Sequence, residues 1–219
     1  MATYAVIYDI EQQPTYNRVH VVIRIAILIL LSIIAGAVGW IFGIAYLAVP
    51  VLAAILIAQK GSRRYLDEAE GNMLMWLRYL FAFYAYLGLL TDKLPNEDPK
   101  TYMRMDLQPE GESSAGAVLL RIILAIPHAI VLGLLGIVAV ILVIVAAIMV
   151  LIQEKYPQGI FDFLRGYARW NARMYGYLAG FSDKYPPFAL DTGPEGGTAA
   201  MVSAPPPEVP PAAGQSQQP

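Results

Sequence analysis

The chain has 219 residues, of which 57% are hydrophobic and 15% are charged, and its formal net charge is −2. A soluble domain carries about 25% charged residues, so this sequence lacks the side chains of an ordinary wetted surface. It contains no cysteine and two histidines, which excludes disulfides and a cysteine nucleophile and argues against a multi-histidine metal site. The first residues have no basic stretch and no apolar core, so a cleaved signal peptide is not expected.

The chain begins with a short arm of alternating character. Large side chains recur at every second position between residues 4 and 10, and again between residues 103 and 107. This period is typical of a β-strand. An isolated strand is marginal in water, so we predict that the two arms pair with each other on the cytoplasmic side.

Two long blocks, residues 25–59 and 122–153, carry no charged side chain. A single helix of about 32 residues would be roughly 48 Å long, well beyond the ~30 Å hydrocarbon core of a bilayer. We therefore predict a helical hairpin in each block, over residues 19–58 and 116–153. The alternative is one tilted, kinked helix in which glycines serve as packing notches. The candidate turn residues are Gly36 and Gly39 in the first block and Gly133 and Gly136 in the second.

Cations flank both blocks and are missing from the glycine turns. They are Arg18, Arg24, Lys60, Arg63 and Arg64 around the first block, and Arg121, Lys155 and Arg165 around the second. With both ends of each hairpin in the cytoplasm, these cations follow the positive-inside tendency. The pattern predicts a multi-pass protein of the cell membrane with both termini cytoplasmic. The pattern fits hairpins that cross the bilayer completely, and it equally fits re-entrant hairpins that enter and leave on the same side.

Each block is followed by an aromatic helix and then by a nearly identical exit phrase, "TDKLPNEDP" at 91–99 and "SDKYPPFAL" at 182–190. A shift of 91 aligns these phrases, and a shift of 97 aligns the two arms and the starts of the two blocks. The sequence therefore predicts an all-α membrane protein made of two tandem repeats. Each repeat is a short β-arm, an apolar helical hairpin and an amphipathic, aromatic interfacial helix. The predicted units are 1–98, 99–191 and a disordered Pro/Gly-rich tail at 192–219.

The second aromatic helix carries Arg165, Arg169 and Arg173 at a spacing of four, which forms one stripe on a helix. Aromatic residues lie away from the stripe, and aromatics combined with cations are typical of a membrane interface. We expect the three arginines to contact anionic lipid headgroups. The alternatives are a solvated face and ion pairs with acids of this protein or of a partner subunit.

His128 follows Pro127 within the second block, and an ionisable residue at membrane depth is a functional candidate. It could equally be a neutral side chain that bonds a carbonyl freed by the proline. The repeated acids Asp92 and Asp183 stand beside lysines and are interpreted as helix exits. No phosphate-binding loop, nucleophile elbow or metal motif is present, so neither enzyme activity nor a cofactor is predicted.

Three stretches of the second half resemble an uncharacterised bacterial membrane family, domain-of-unknown-function family 4389. They are Arg-x-x-Leu-Ala-Ile-Pro-His at 121–128, "YPQGIFDFLRGYARWN" at 156–171 and "SDKYPPFAL" at 182–190. The first half resembles the family more loosely, because it lacks the Pro-His pair and the Pro-Pro-Phe ending. The resemblance implies an integral membrane protein and no particular activity. We expect a non-catalytic scaffold or accessory subunit of a membrane complex, with a binder or carrier of lipid or another lipophilic molecule as the alternative. The expected partners are the bilayer, anionic lipids, and a membrane protein or a second copy of the chain, but no nucleic acid.

Overall fold

A computed structural model describes residues 6–35, 38–69, 71–109 and 111–193, with the backbone alone described for 31–35 and 38–42. Within these residues the chain forms two strands and seven α-helices. They are β1 Val6–Ile10, α1 Arg18–Ala35, α2 Val38–Lys60, α3 Ser62–Glu68, α4 Met73–Leu87, β2 Met103–Leu107, α5 Ala115–Leu124, α6 Ile126–Gln153 and α7 Gln158–Leu178. A short 3-10 turn, Pro99–Thr101, leads into β2.

The two arms pair with each other, as the sequence predicts. β1 and β2 are antiparallel, and the central partners in their register are Tyr8 and Met105. Both of these side chains are buried. Because a two-stranded sheet is marginal by itself, its stability depends on the helices that cover it, chiefly α7 beneath β1. Tyr4, which the prediction included, lies outside the described residues.

Gly176 allows α7 to approach β1 closely. A Cβ at this position would lie far inside van der Waals distance of Val6 Cγ2 and 3.2 Å from Val6 Cβ. Val6 is itself buried, so it has little room to move. The glycine therefore fixes the separation between helix and strand.

Gly176→Ala should lower the free energy of unfolding by about 1–3 kcal/mol, because the added methyl overpacks this contact. Val6→Ala removes Cγ2 and should relieve most of the clash, although the β-carbon at 3.2 Å remains. In the Val6→Ala background the same change should therefore cost less than in the wild type, and the higher helix propensity of alanine offsets up to about 1 kcal/mol of the cost. A double-mutant cycle of thermal unfolding in detergent checks this. Additive effects of the two substitutions would contradict the close approach.

Two helices are long and apolar enough to cross a membrane, counted over the described part of the chain. They are residues 43–60 of α2 and the whole of α6. This length and composition are consistent with membrane association. With 28 residues, α6 is about 42 Å long, more than the ~30 Å hydrocarbon core.

The hairpin predicted for residues 116–153 is wrong. Gly133 and Gly136 lie inside α6, which runs through them without a turn, and the boundary between α5 and α6 falls at Ala125, whose backbone stays in the right-handed helical region. The reason is that a glycine within an apolar helix costs only about 1 kcal/mol. Pro127 has no N–H to donate to the preceding turn, so it marks a helix boundary. Gly136 serves as a packing notch, since a Cβ there would lie 3.0 Å from the Tyr167 hydroxyl.

In the first half α1 is described to Ala35 and α2 from Val38, and residues 36–37 between them lie outside the described residues. Gly36 therefore falls outside the described residues, and Gly39 lies in the first turn of α2. The turn predicted at the first glycine pair therefore lies outside the described residues.

The prediction that the second aromatic helix lies at the membrane interface is also wrong. α7 is the central helix, with 15 of its 21 residues buried, and it packs against β1, α2, α4, α5 and α6. In contrast, α4 keeps an exposed face with Met75, Trp76 and Tyr79. Amphipathic periodicity specifies that α7 has a polar stripe, but not whether the stripe faces water or internal acceptors.

Large apolar side chains of α1, α2, α5 and α6 lie exposed on the outside, and we call this surface the apolar belt. On α6 its members include Ile130, Leu134, Ile137, Ile141, Ile144 and Ile152. A soluble monomer rarely exposes a contiguous apolar patch of more than a few hundred Å². The polar contacts described below lie inside the protein, around α7 and the helix ends.

Candidate functional site

The three arginines of α7 lie in the interior of the protein. Arg169 is 1% exposed. Its Nε donates to Tyr8 O at 2.9 Å, one Nη donates to Asp191 O at 2.8 Å and to Gly193 O, and the other donates to the Asp9 carboxylate at 2.8 Å. This guanidinium therefore joins β1 to the segment that follows α7.

Arg165 and Arg173 flank Arg169 and bind the same segment. Arg165 donates to Thr192 O and to the Asp162 carboxylate, and Arg173 pairs with the Asp191 carboxylate. We call Arg165, Arg169 and Arg173 the arginine cluster. The headgroup contact predicted for these residues is wrong for this structure, because carbonyls and carboxylates of the same chain satisfy them. Ion pairing within the protein, one of the alternatives, is what the structure shows.

The Tyr8 hydroxyl beside the arginine cluster is held in its neutral form by burial. Burial, and then the charge of Asp9, raise the pKa of the Tyr8 hydroxyl far above its ordinary value of about 10. Tyr8 therefore stays neutral at every physiological pH. The carboxylates of Asp9, Asp162 and Asp191 bring negative charge to the three cations, which offsets the cost of burying them.

His128 lies at the centre of a second cluster and is fully buried. Trp170 Nε1 lies 3.0 Å from His128 Nδ1, and Pro186 O lies 3.1 Å from His128 Nε2. An indole N–H can only donate, so Nδ1 must be the acceptor and Nε2 must carry the proton. The imidazole is therefore neutral. It does bond a carbonyl, but that of Pro186 rather than one freed within its own helix.

Aromatic rings enclose this imidazole. Phe188 stacks on it at 3.9 Å between centroids with an interplanar angle of 8°, and Tyr185 lies at 4.8 Å. The Trp170 ring meets it edge-on at 5.8 Å. Residues 185–193 thus run from the His128 cluster to the arginine cluster, and we call them the strap.

The strap passes directly over α7. A Cβ at Gly166 would lie 3.0 Å from Asp191 O, so this glycine provides the space through which the strap passes. Sequence reasoning identified His128, the three arginines and the "SDKYPPFAL" phrase separately. It missed their connection through Trp170 and the strap. The only available signal was that Trp170 lies beside Arg169, and it does not show which way either side chain points.

Two further arginines hold the exits of α4 and α7, and sequence reasoning had treated them only as flanking cations. Arg24 donates to Tyr86 O and Thr91 O and pairs with Asp92, and its guanidinium lies 4.3 Å from the centre of the Tyr86 ring.

Arg121 makes the matching contacts at the exit of α7. It donates to Tyr177 O and Ser182 O, pairs with Asp183, and lies 4.7 Å from the centre of the Tyr177 ring. Both arginines are buried. Each one fixes the turn that ends an aromatic helix, so Asp92 and Asp183 act as helix-exit residues.

No group of three or more histidine, aspartate or glutamate side chains that could hold a metal ion occurs in the described ranges. The ionisable side chains of both clusters make contacts that join segments of the fold. The arrangement holds the strap against α7 through contacts at both of its ends.

Residues 115–189 match the family model described as "Domain of unknown function (DUF4389)". The match spans α5, α6, α7 and most of the strap, and it includes Arg121, His128 and Trp170. It supports the family resemblance seen in the motifs of the second half, and its description assigns no activity. No curated protein and no solved structure matches the chain.

Proposed function

We propose that the chain is an integral membrane protein that acts as a non-catalytic scaffold or accessory subunit of a membrane complex. The observation that carries this proposal is the apolar belt. Its isoleucine, leucine and valine side chains would cost about 25 cal/mol for each Å² left in water, whereas a bilayer removes that cost. The proposed location is the cell membrane, with several crossings.

The use of the buried charges supports a non-catalytic role. Six arginines are buried among the described residues, and at least five of them donate to main-chain carbonyls. These five are Arg24, Arg78, Arg121, Arg165 and Arg169. A guanidinium that donates to main-chain carbonyls has a structural role, because moving it toward a substrate would leave those carbonyls without a hydrogen bond.

The alternative is a binder or carrier of lipid or another lipophilic molecule. Trp76 on the open face of α4 favours it, because its side chain is 73% exposed and indoles concentrate at membrane interfaces. Purification in mild detergent followed by mass spectrometry separates the two proposals. Stoichiometric co-purification of a membrane protein, or of a second copy, supports the scaffold. Enrichment of one lipid class over the membrane average supports the carrier, and anionic lipids are the first class to compare.

We further propose that the two halves are tandem copies of one unit. Their exits share an arginine contact, and they also share a turn: Lys93 N–H and Lys184 N–H each bond a hydroxyl two residues earlier at 3.1 Å. The halves exchange equivalent contacts, since Arg78 donates to Met105 O and Arg169 donates to Tyr8 O, both at 2.9 Å. These matched contacts favour an internal two-fold relation centred on the paired strands.

Ile141→Lys should impair membrane insertion. Ile141 is exposed on the apolar belt near the middle of α6, and a lysine at the centre of a spanning helix costs about 2.5–3.5 kcal/mol. The measurement is the fraction of protein that resists carbonate extraction from membranes. Gln153→Lys is the matched control, because it places the same charge at the end of the same helix, where it reaches the interface. Equal extraction of the two variants, or improved solubility of Ile141→Lys without detergent, would contradict a membrane-spanning α6.

A further inference from the structure

We propose that the strap is a proton-sensitive latch: protonation of His128 releases residues 185–193 from α7 and uncovers the arginine cluster. The proposal starts from the two bonds of His128. Nδ1 accepts from Trp170 at 3.0 Å and Nε2 donates to Pro186 O at 3.1 Å. Both nitrogens are therefore used, and only the neutral imidazole with its proton on Nε2 fits both partners.

A second proton must go to Nδ1, where the Trp170 N–H already points. The result is two N–H groups facing each other at the present distance, so the Trp170 bond is lost. A buried indole N–H then has no acceptor, and a cation lies among aromatic rings away from water. Opening the strap relieves both conditions, because Phe188 and Tyr185 leave the ring and water reaches the imidazolium.

Among the described residues, no carboxylate lies within ion-pair distance of His128 to neutralise that cation. From the strap Tyr185 contacts it, and the phenol of Tyr185 donates to Leu124 O. Its own helix, α6, contains no charged residue.

The charged groups of the neighbouring helices are also engaged elsewhere. On α7, Arg169 and Arg173 bond to Asp9 and Asp191. On α5, Arg121 bonds to Asp183. The surroundings of His128 therefore disfavour its charged form in the closed state.

The other end of the strap binds the arginine cluster. Asp191 O, Thr192 O and Gly193 O accept from Arg169 and Arg165, and the Asp191 carboxylate pairs with Arg173. When the strap leaves, these acceptors leave with it. The arginine cluster then faces the space that the strap occupied.

The direction with pH follows from the protonation states. The closed strap requires neutral His128, so its stability is complete above the ordinary imidazole pKa of about 6.5 and is lost as the pH falls below that value. One proton taken up on opening changes the open-to-closed ratio by about tenfold per pH unit. Carboxylates in an unfolded chain titrate near pH 4, so an opening caused by carboxylates would fall in a lower pH range.

The test uses a spin label on the strap of the full chain in detergent. Because the chain has no cysteine, Ala189→Cys gives a single labelling site, and the line shape reports mobility at every pH. We expect an immobilised label at pH 7.5 and a mobile fraction that rises at least tenfold by pH 5. His128→Gln should stay immobilised at both values, since its amide can accept from Trp170 and donate to Pro186 O without titrating. His128→Leu should be mobile at both.

His20→Gln is the matched control. His20 is the other histidine of the chain, and its ring bonds the Tyr86 hydroxyl at 3.2 Å, away from the strap. This variant should keep the wild-type response to pH. A label that stays immobilised at pH 5 in the wild type would overturn the proposal, as would an unchanged pH response in His128→Gln. If His128→Gln does not hold the strap at pH 7.5, the test is the pH at which half of the wild-type label becomes mobile. A midpoint between about pH 5 and 6.5 supports the latch. A midpoint near pH 4 assigns the opening to carboxylates and overturns the proposal.

Discussion

Replacing Arg169 with methionine is expected to lower the free energy of unfolding by about 3–5 kcal/mol, because removing one partner of a buried ion pair leaves the other without compensation. Methionine keeps much of the length and the apolar stem, so the loss reports the guanidinium. Tyr8 O, Asp191 O, Gly193 O and the Asp9 carboxylate each lose a donor. For a domain of this size the melting temperature should fall by roughly 6–20 °C. Scanning fluorimetry in detergent measures it.

Arg63→Met is the control for Arg169→Met. Arg63 pairs with Glu112, but its side chain is 84% exposed, and exposed ion pairs contribute little. The Arg63→Met variant should melt at the same temperature as the wild type. If Arg169→Met also melts like the wild type, the arginine does not hold β1 and the strap to α7. The contacts of the arginine cluster would then be secondary to the packing of Gly176 on Val6.

Arg24→Met and Arg121→Met are expected to destabilise the protein to a similar extent, by about 3–5 kcal/mol each. Each arginine is buried and holds two carbonyls and one aspartate at the end of an aromatic helix. Besides the lower melting temperature, amide exchange should rise locally, at residues 86–93 in Arg24→Met and at 177–184 in Arg121→Met.

The comparison between these two variants tests the relation between the halves. Two copies of one unit predict that both variants lose the same stability. They also predict that amide exchange rises at the exit of α4 in one variant and at the exit of α7 in the other. A large loss for Arg121→Met beside a negligible loss for Arg24→Met would contradict it, and would leave the second half, which carries the family match, as the only unit of that kind. The melting temperature of His128→Leu can be compared with those of these two variants. The matching position in the first half holds Leu31 and no histidine, so this substitution makes the second half like the first at that position.

Several features of the fold could be read from the sequence, because they depend on local chemistry. The strands at 6–10 and 103–107 follow from a period of two, and the register that joins Tyr8 to Met105 agrees with the pairing expected of two short arms. The helix exits agree with the repeated Asp-Lys phrase, because its hydroxyl residue and its proline are typical of the turn that follows a helix. The lack of charge over two long blocks was enough to indicate apolar helices on the outside of the molecule.

The tertiary structure alone decided where the polar side chains of α7 point. A stripe of arginines has the same period whether it meets lipid phosphates, water or carbonyls from distant segments. Arg169 finds its acceptors 160 residues away at Asp9 and 22 residues away at Asp191, and nothing local to α7 predicts them. The position of the break in the second apolar block was also decided by context, since glycine permits a turn without requiring one, whereas proline removes a donor. The sequence by itself determined which segments are helical, extended and apolar, because those properties belong to short stretches of chain. Contacts between segments far apart in the chain decide which face of α7 is buried and what holds the strap in place. Only the folded protein brings those segments together.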